Sequence, residues 1–124
     1  MNILLDTHAL IWLGENDRQF SLTARSAIES PENTKFFSVV SFWEIAVKVS
    51  LRKLSLLKPL AQIIKEIEES DALVLGISSA HTLLIEQLPL HHRDPFDRML
   101  AAQAEMERAT LVSRDVAFGV STLW

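Results

Sequence analysis

The chain contains no cysteine, and only three of its 124 residues are glycine. Without cysteine it has neither disulfide bonds nor a thiolate metal site, which suits a reducing cytoplasm. With so few glycines it lacks the loops that hold nucleotide phosphates: neither the P-loop pattern nor the dinucleotide-binding pattern occurs. Enzymes that depend on a nucleotide cofactor are therefore disfavoured.

Long apolar runs are also absent. No segment approaches the roughly 20 apolar residues that span a bilayer, so we expect no membrane association. Residues 1–5 carry no cationic run, and only three apolar residues precede Asp6, unlike a signal peptide. We expect a cytoplasmic protein.

The formal net charge at pH 7 is −4. This charge disfavours binding of nucleic acid through a broad basic face. Four carboxylates that bind a metal ion would account for the whole excess of negative charge. The composition is therefore compatible with RNA binding through a metal ion and local cations. The mean hydropathy of +0.18 is high for so small a domain and indicates that another chain covers part of the surface.

A chain of this length is most simply one domain, here residues 1–124. Short apolar segments predict buried strands at 3–5, 35–40, 72–75, 110–113 and 120–124. Helices are predicted at 8–13 and 21–29, and apolar stripes at helical spacing predict others that include Phe42, Leu60, Ala80 and Phe96. We expect Pro59 and Pro95 at first helical positions.

Strands that alternate with helices predict an α/β fold with a mainly parallel central sheet of about four to five strands and helices on both faces. Four acidic residues follow such strands or begin such helices, namely Asp6, Glu44, Asp97 and Asp115. The carboxyl ends of parallel strands share one edge of a sheet, where ligands bind. Carboxylates gathered there would repel one another and would suit Mg²⁺ or Mn²⁺.

Most of these acids also have a structural interpretation. Asp6 could cap the helix that follows it. Glu44 could form a capping box with Ser41 or pair with Lys48, four residues later. Asp115 could be a turn residue or pair with the neighbouring arginine.

The segment around Asp94 and Asp97 has the same ambiguity. Asp94 precedes Pro95 at a predicted N-cap, and the helix dipole favours either acid by roughly 0.3–1 kcal/mol. Arg93 and Arg98 flank this helix start and could bind a substrate phosphate or form local ion pairs.

The four acids and their flanking residues resemble the PIN-domain ribonucleases, specifically the VapC-type toxins of bacterial and archaeal type II toxin–antitoxin systems. The stretches that carry the resemblance are LLDTH at 4–8, SFWEI at 41–45, HHRDPFDRMLAA at 91–102 and LVSRD at 111–115. Each is short, but the ordered set spans nearly the whole chain. The resemblance implies a metal-dependent endoribonuclease that hydrolyses RNA phosphodiester bonds, with no cofactor beyond Mg²⁺ or Mn²⁺.

The resemblance also assigns roles within the site. It implies that Asp6 and Asp97 are the chief metal ligands and that Glu44 and Asp115 complete the catalytic quartet, directly or through water. We prefer Asp97 to Asp94 because the residues after Asp97 match the family helix, which leaves Asp94 as the cap. The supporting residues are Thr7, Ser41, Asp94, Arg98 and Ser113. The implied partners are an RNA substrate, a cognate antitoxin that blocks the acidic pocket, and a second copy of the chain in a homodimer.

The predicted mechanism is hydrolysis assisted by one or two metal ions, with Glu44 or Asp115 orienting the attacking water. One alternative is a non-catalytic PIN-like module that only binds protein or RNA. Another is a phosphohydrolase of the haloacid dehalogenase type, which also places an aspartate after its first strand. That family needs a second aspartate two residues later, where this chain has His8.

Overall fold

A computed structural model describes residues 1–15, 19–89, 94–115 and 119–124. Its strands are β1 (Asn2–Leu5), β2 (Thr34–Ser38), β3 (Leu73–Leu75), β4 (Ala109–Val112) and β5 (Thr122–Leu123). Its helices are α1 (Thr7–Gly14), α2 (Leu22–Glu29), α3 (Val39–Ser50), α4 (Leu60–Glu69), α5 (Ser79–Gln87) and α6 (Pro95–Met106). Within the described ranges, none of the helices has both the length and the apolar character needed to cross a bilayer.

The five strands form one parallel sheet in the order β3-β2-β1-β4-β5. The chain runs outward from β1 through β2 to β3, then crosses to the other side of β1 to form β4 and β5. In the centre of the sheet, Leu5 lies beside Phe37 of β2 and Val112 of β4. The predicted α/β fold with a mainly parallel sheet of four to five strands is confirmed.

The side chains of β1 alternate between two apolar cores, because successive residues of a strand point to opposite faces. Ile3 and Leu5 pack on one face with residues of α1, α2, α3 and α4. Leu4 packs on the other face, chiefly with residues of α6. Helices therefore cover both faces of the sheet, as predicted.

Helix α3 begins earlier than the sequence pattern predicts. Ser38 is its N-cap, and the Ser38 Oγ accepts the Val40 N–H at 3.0 Å. Ser41 consequently lies inside the first turn, so the capping box considered for Ser41 and Glu44 is wrong. Both side chains are free of that local role and point into the site described below.

Two further helix predictions were only partly correct. Pro95 is the first residue of α6, as predicted, but Pro59 is the N-cap of α4 rather than its first residue. On α5, Leu83 was predicted to be buried but is 62% exposed, whereas His81 is buried. The imidazole Nδ1 of His81 accepts the Ser78 N–H at 3.0 Å, so a capping contact takes the place of an apolar one.

The fully buried amide of Gln103 ties α6 to the sheet. Its Oε1 accepts a hydrogen bond from the Ser38 Oγ at 2.5 Å, and its Nε2 donates to the Gly76 carbonyl at 3.2 Å. Both partners lie at or just beyond the carboxyl ends of neighbouring strands. The helix that carries Asp97 is thereby fixed relative to those strand ends.

We predict that Gln103→Met lowers the free energy of unfolding by about 1–3 kcal/mol, because the buried Ser38 hydroxyl loses its acceptor. Unfolding in urea measures the change. Gln87→Met, at an exposed position of α5, is the matched control and should change stability by less than about 0.5 kcal/mol. Equal stability of Gln103→Met and the wild type would contradict the assigned role.

Candidate active site

The carboxyl ends of β1, β2 and β4 lie side by side, because Leu5 at the end of β1 pairs with Val112 at the end of β4 and with Phe37, one residue before the end of β2. Asp6 follows β1 directly, and its N–H donates to the Val112 carbonyl of β4 at 3.1 Å. Ser113 follows β4 directly. The strand order reverses across this point, since β2 lies on one side of β1 and β4 on the other, and such a switch point is where parallel α/β sheets bind ligands.

Asp6 is both a helix cap and a buried acid. It is the N-cap of α1, where its Oδ1 accepts the Ala9 N–H at 2.8 Å. Only 6% of the residue is exposed. Burial raises the pKa of Asp6, and the negative charge of Glu44 adds to the rise, while hydrogen bonds from Ser113 and Ala9 and the charge of His8 oppose it. Glu44 therefore lies close enough to Asp6 for its negative charge to affect the pKa of Asp6.

Glu44 is buried and held by both of its carboxylate oxygens. The Thr7 hydroxyl donates to Oε1 at 2.6 Å, and the Lys48 ammonium donates to Oε2 at 2.5 Å. The Thr7 Oγ1 also lies 3.0 Å from the Ser41 Oγ, so the two hydroxyls and the carboxylate form one connected network. The pairing of Glu44 with Lys48 is as predicted.

The start of α6 brings two more acids toward this network. Asp94 is the N-cap, and its Oδ1 accepts the N–H groups of Phe96 and Asp97 at 2.8 and 3.0 Å, which confirms its capping role. Asp97 lies in the first helical turn. The hydrogen bond to Glu44 raises the pKa of Lys48, and the charges of Asp94 and Asp97 raise it further. Three carboxylates therefore stabilise the charged form of the Lys48 ammonium group.

Arg98 has a structural contact in α6, where its Nη2 donates to the Ile85 carbonyl of α5 at 2.8 Å. This bond connects α6 to α5 and holds the two helices against each other. The residues that precede Asp94, among them His91, His92 and Arg93, lie outside the described residues.

Ser113 and Asp115 extend the site on the β4 side. Ser113 is buried and its hydroxyl hydrogen-bonds to Asp6. The same Oγ accepts the Asp115 N–H at 3.0 Å, so one hydroxyl links the two segments. Asp115 is exposed. The Arg114 guanidinium lies 4.9 Å from the ring centroid of Trp12 of α1, so this loop also packs on α1.

The donors around the site fit a hard divalent cation, because they are carboxylate and hydroxyl oxygens without sulfur or a histidine pair. Across residues 1–15, 19–89, 94–115 and 119–124, no three acidic or histidine side chains converge closely enough to hold an ion as they stand. Charge effects relate Asp6 to Glu44 and relate Glu44, Asp94 and Asp97 to Lys48, and the Ser113 hydroxyl links the backbone of Asp115 to Asp6.

The sequence pattern identified Lys48 only as a helical partner of Glu44. Its position next to the acids of α6 depends on how α3 packs against α6, where the rings of Trp43 and Phe96 meet edge-on with centroids 4.7 Å apart. The spacing of four residues from Glu44 was the one signal that could have placed Lys48 in the site.

Solved structures share this fold over nearly the whole chain. VapBC2 from Rickettsia felis, bound to a DNA fragment from its promoter, has a TM-score of 0.68 and 20% identity, covering 95% of this chain and 91% of that one. FitAcB from Neisseria gonorrhoeae has a TM-score of 0.56 and 17% identity, covering 98% and 96%. At these identities the likeness concerns the fold.

Comparison with curated proteins gives no match. The family model of the PIN domain, in contrast, matches residues 3–120 and so includes the six helices, strands β2 to β4 and all but the first residue of β1. The matched span contains all four acids of the predicted quartet. This chain belongs to the PIN domain family.

Proposed function

We propose that this protein is a metal-dependent endoribonuclease and the toxin of a toxin–antitoxin pair. The observation that carries the proposal is the burial of Asp6 at the switch point of the sheet, beside Ser113 and within the field of Glu44. Burial of an acid raises its pKa and lowers the stability of the folded protein when the acid is ionised. Groups with such shifted pKa values are concentrated at functional sites. Membership of the PIN domain family supports a nuclease rather than a phosphohydrolase.

The residues of the chain have distinct proposed roles. Asp6 and Asp97 would hold the ion, and Glu44 and Asp115 would contribute directly or through water. When bound, Mg²⁺ or Mn²⁺ supplies Lewis-acid charge that lowers the pKa of water and offsets charge on a phosphate. Thr7 fixes the orientation of Glu44 through its short hydrogen bond.

The proposed partners are a cognate antitoxin that covers the acidic pocket and a second copy of this chain, all acting in the cytoplasm. The VapBC2 structure contains a DNA fragment, and a structure of FitAB with a TM-score of 0.56 and 17% identity is bound to an IR36 DNA fragment. Both support an antitoxin of the DNA-binding kind. Large exposed apolar residues, among them Leu57 at 84% and Leu22 at 81%, provide surface that a partner would cover. Light scattering of the chain alone and with the antitoxin tests both assemblies.

We predict that the antitoxin-free protein cleaves single-stranded RNA in Mg²⁺ or Mn²⁺ and that EDTA stops it. Asp6→Asn and Asp97→Asn should each reduce the rate by more than about 100-fold, since even the outer partners of metal ligands are worth 10–100-fold. Asp94→Asn should retain most activity, because asparagine is also a good N-cap. The rate is measured with end-labelled RNA.

Asp71→Asn, at an exposed position of the chain, is the control for these variants. Loss of activity in Asp94→Asn but not in Asp97→Asn would refute the preference for Asp97. Failure of the wild type to cleave any RNA in either metal would favour the non-catalytic module.

We predict that Asp6→Asn raises the melting temperature in metal-free buffer at pH 7. Burial raises the pKa of Asp6 in the folded state, so between the unfolded and folded pKa values the folded protein binds more protons and stability falls as pH rises. The ionised carboxylate is therefore destabilising at neutral pH. Asparagine removes that charge and keeps the cap.

Melting curves between pH 5 and pH 7 test this expectation. The advantage of Asp6→Asn over the wild type should shrink as the pH falls toward the folded pKa of Asp6. Added Mg²⁺ should stabilise the wild type more than the variant, because only the wild type keeps the full set of ligands. A lower melting temperature for Asp6→Asn at pH 7 would contradict the assignment.

A further inference from the structure

The Lys48 ammonium is a cation built into the acidic site. It lies 2.5 Å from the Glu44 Oε2, and the Glu44 side chain is only 5% exposed while that of Lys48 is 37% exposed. Asp94 and Asp97 of α6 act on the same ammonium group. Lys48 is thus a partly exposed side chain whose ammonium group contacts a buried carboxylate.

A second lysine–glutamate pair at the same spacing of four residues provides a comparison within the chain. Lys65 and Glu69 of α4 are 4.0 Å apart, and their side chains are 74% and 66% exposed. Exposed pairs of this kind contribute little to stability. The Lys48 pair differs because its acceptor is buried and because Thr7 holds the other oxygen of that acceptor.

We propose that Lys48 is an intramolecular counter-ion that holds Glu44 in the metal-free site and competes with a divalent cation for it. The inference rests on the proposed function, since the cation is the one that Asp6 and Asp97 would hold. Like charges at short range repel, so loading of the ion requires Glu44 to be released from Lys48. Lys48 is therefore a positioning residue that sets the affinity of the site for metal.

The flexible stem of lysine makes such an exchange possible. An ammonium group on a four-carbon chain with part of its surface in water can move outward at small cost. Glu44 has no comparable freedom, because its carboxylate is buried and bound by Thr7. The exchange therefore moves the lysine and leaves the carboxylate in place.

Titration calorimetry with Mn²⁺ alone, on chelator-treated protein without RNA or antitoxin, tests the proposal. Lys48→Met should bind Mn²⁺ about tenfold more tightly than the wild type, because the ion no longer has to displace the ammonium group from Glu44. Lys48→Arg keeps the charge and should bind within about threefold of the wild type. Lys65→Met, which removes the exposed pair of α4, should leave the affinity unchanged.

A double variant distinguishes a role of Lys48 as the counter-ion of Glu44 from a general electrostatic effect of its charge on the metal ion. Glu44→Gln and the double variant Glu44→Gln/Lys48→Met should have Mn²⁺ affinities within about threefold of each other, because Lys48 acts through Glu44. Circular dichroism verifies that each variant is folded. Equal or weaker Mn²⁺ binding by Lys48→Met, or a persistent tenfold gain in the Glu44→Gln background, would overturn the proposal.

The same samples distinguish failure of this proposal from failure of the proposed function. Mn²⁺ affinities in the expected order, together with a wild type that cleaves no RNA, would support the role of Lys48 and refute the nuclease. RNA cleavage by the wild type with unchanged Mn²⁺ affinity in Lys48→Met would do the reverse. No Mn²⁺ binding at millimolar concentration in either protein would refute both.

Discussion

The hydrogen-bonded register of β1 between β2 and β4 determines where every other part of the site lies. Because Leu5 pairs with both Phe37 and Val112, the three central strands end within one residue of one another. Asp6 and Ser113 consequently become neighbours although more than one hundred residues of chain separate them. A slip of one residue would send Leu5 to the opposite core and would turn Asp6 away from the edge. The apolar cores and the acidic edge are therefore specified by the same pairing.

A helix-capping role does not exclude a role in the candidate site. Asp6 caps α1 and is also one of the two buried acids of the candidate site, and Asp94 caps α6 three residues before Asp97. Helix N-termini stabilise negative charge, by roughly 0.3–1 kcal/mol at exposed positions. The starts of α1 and α6 can thus each hold an acid whose negative charge would otherwise oppose folding.

Sequence patterns predicted the parts of the fold that depend on local chemistry. The short apolar strands, the cap at Asp94 and Pro95, and the pairing of Glu44 with Lys48 all involve residues within a few positions of one another. The start of α3 was misplaced because Ser38 and Ser41 are both good caps by composition. Only the end of β2, set by its pairing with β1, selects Ser38.

The remaining features depend on contacts between distant segments. The bond from Ser38 to Gln103 and the approach of Lys48 to the acids of α6 need the packed sheet and helices, and no local pattern encodes them. Leu83 was predicted to be buried because it belongs to a stripe of apolar residues at helical spacing. It is exposed, since nothing in the described part of the chain covers it. Periodicity identifies which residues can be buried, whereas packing decides which are.

The hydroxyl of Ser113 makes two bonds in opposite senses, one to the Asp6 carboxylate and one from the Asp115 backbone. A side chain that replaces it must both donate and accept at the same short distance from the strand. Among the small residues that fit a fully packed strand end, serine and threonine do so. A substitution at position 113 therefore keeps both bonds only if it supplies a hydroxyl group, whereas the neighbouring apolar positions Leu111 and Val112 require only a side chain of similar shape.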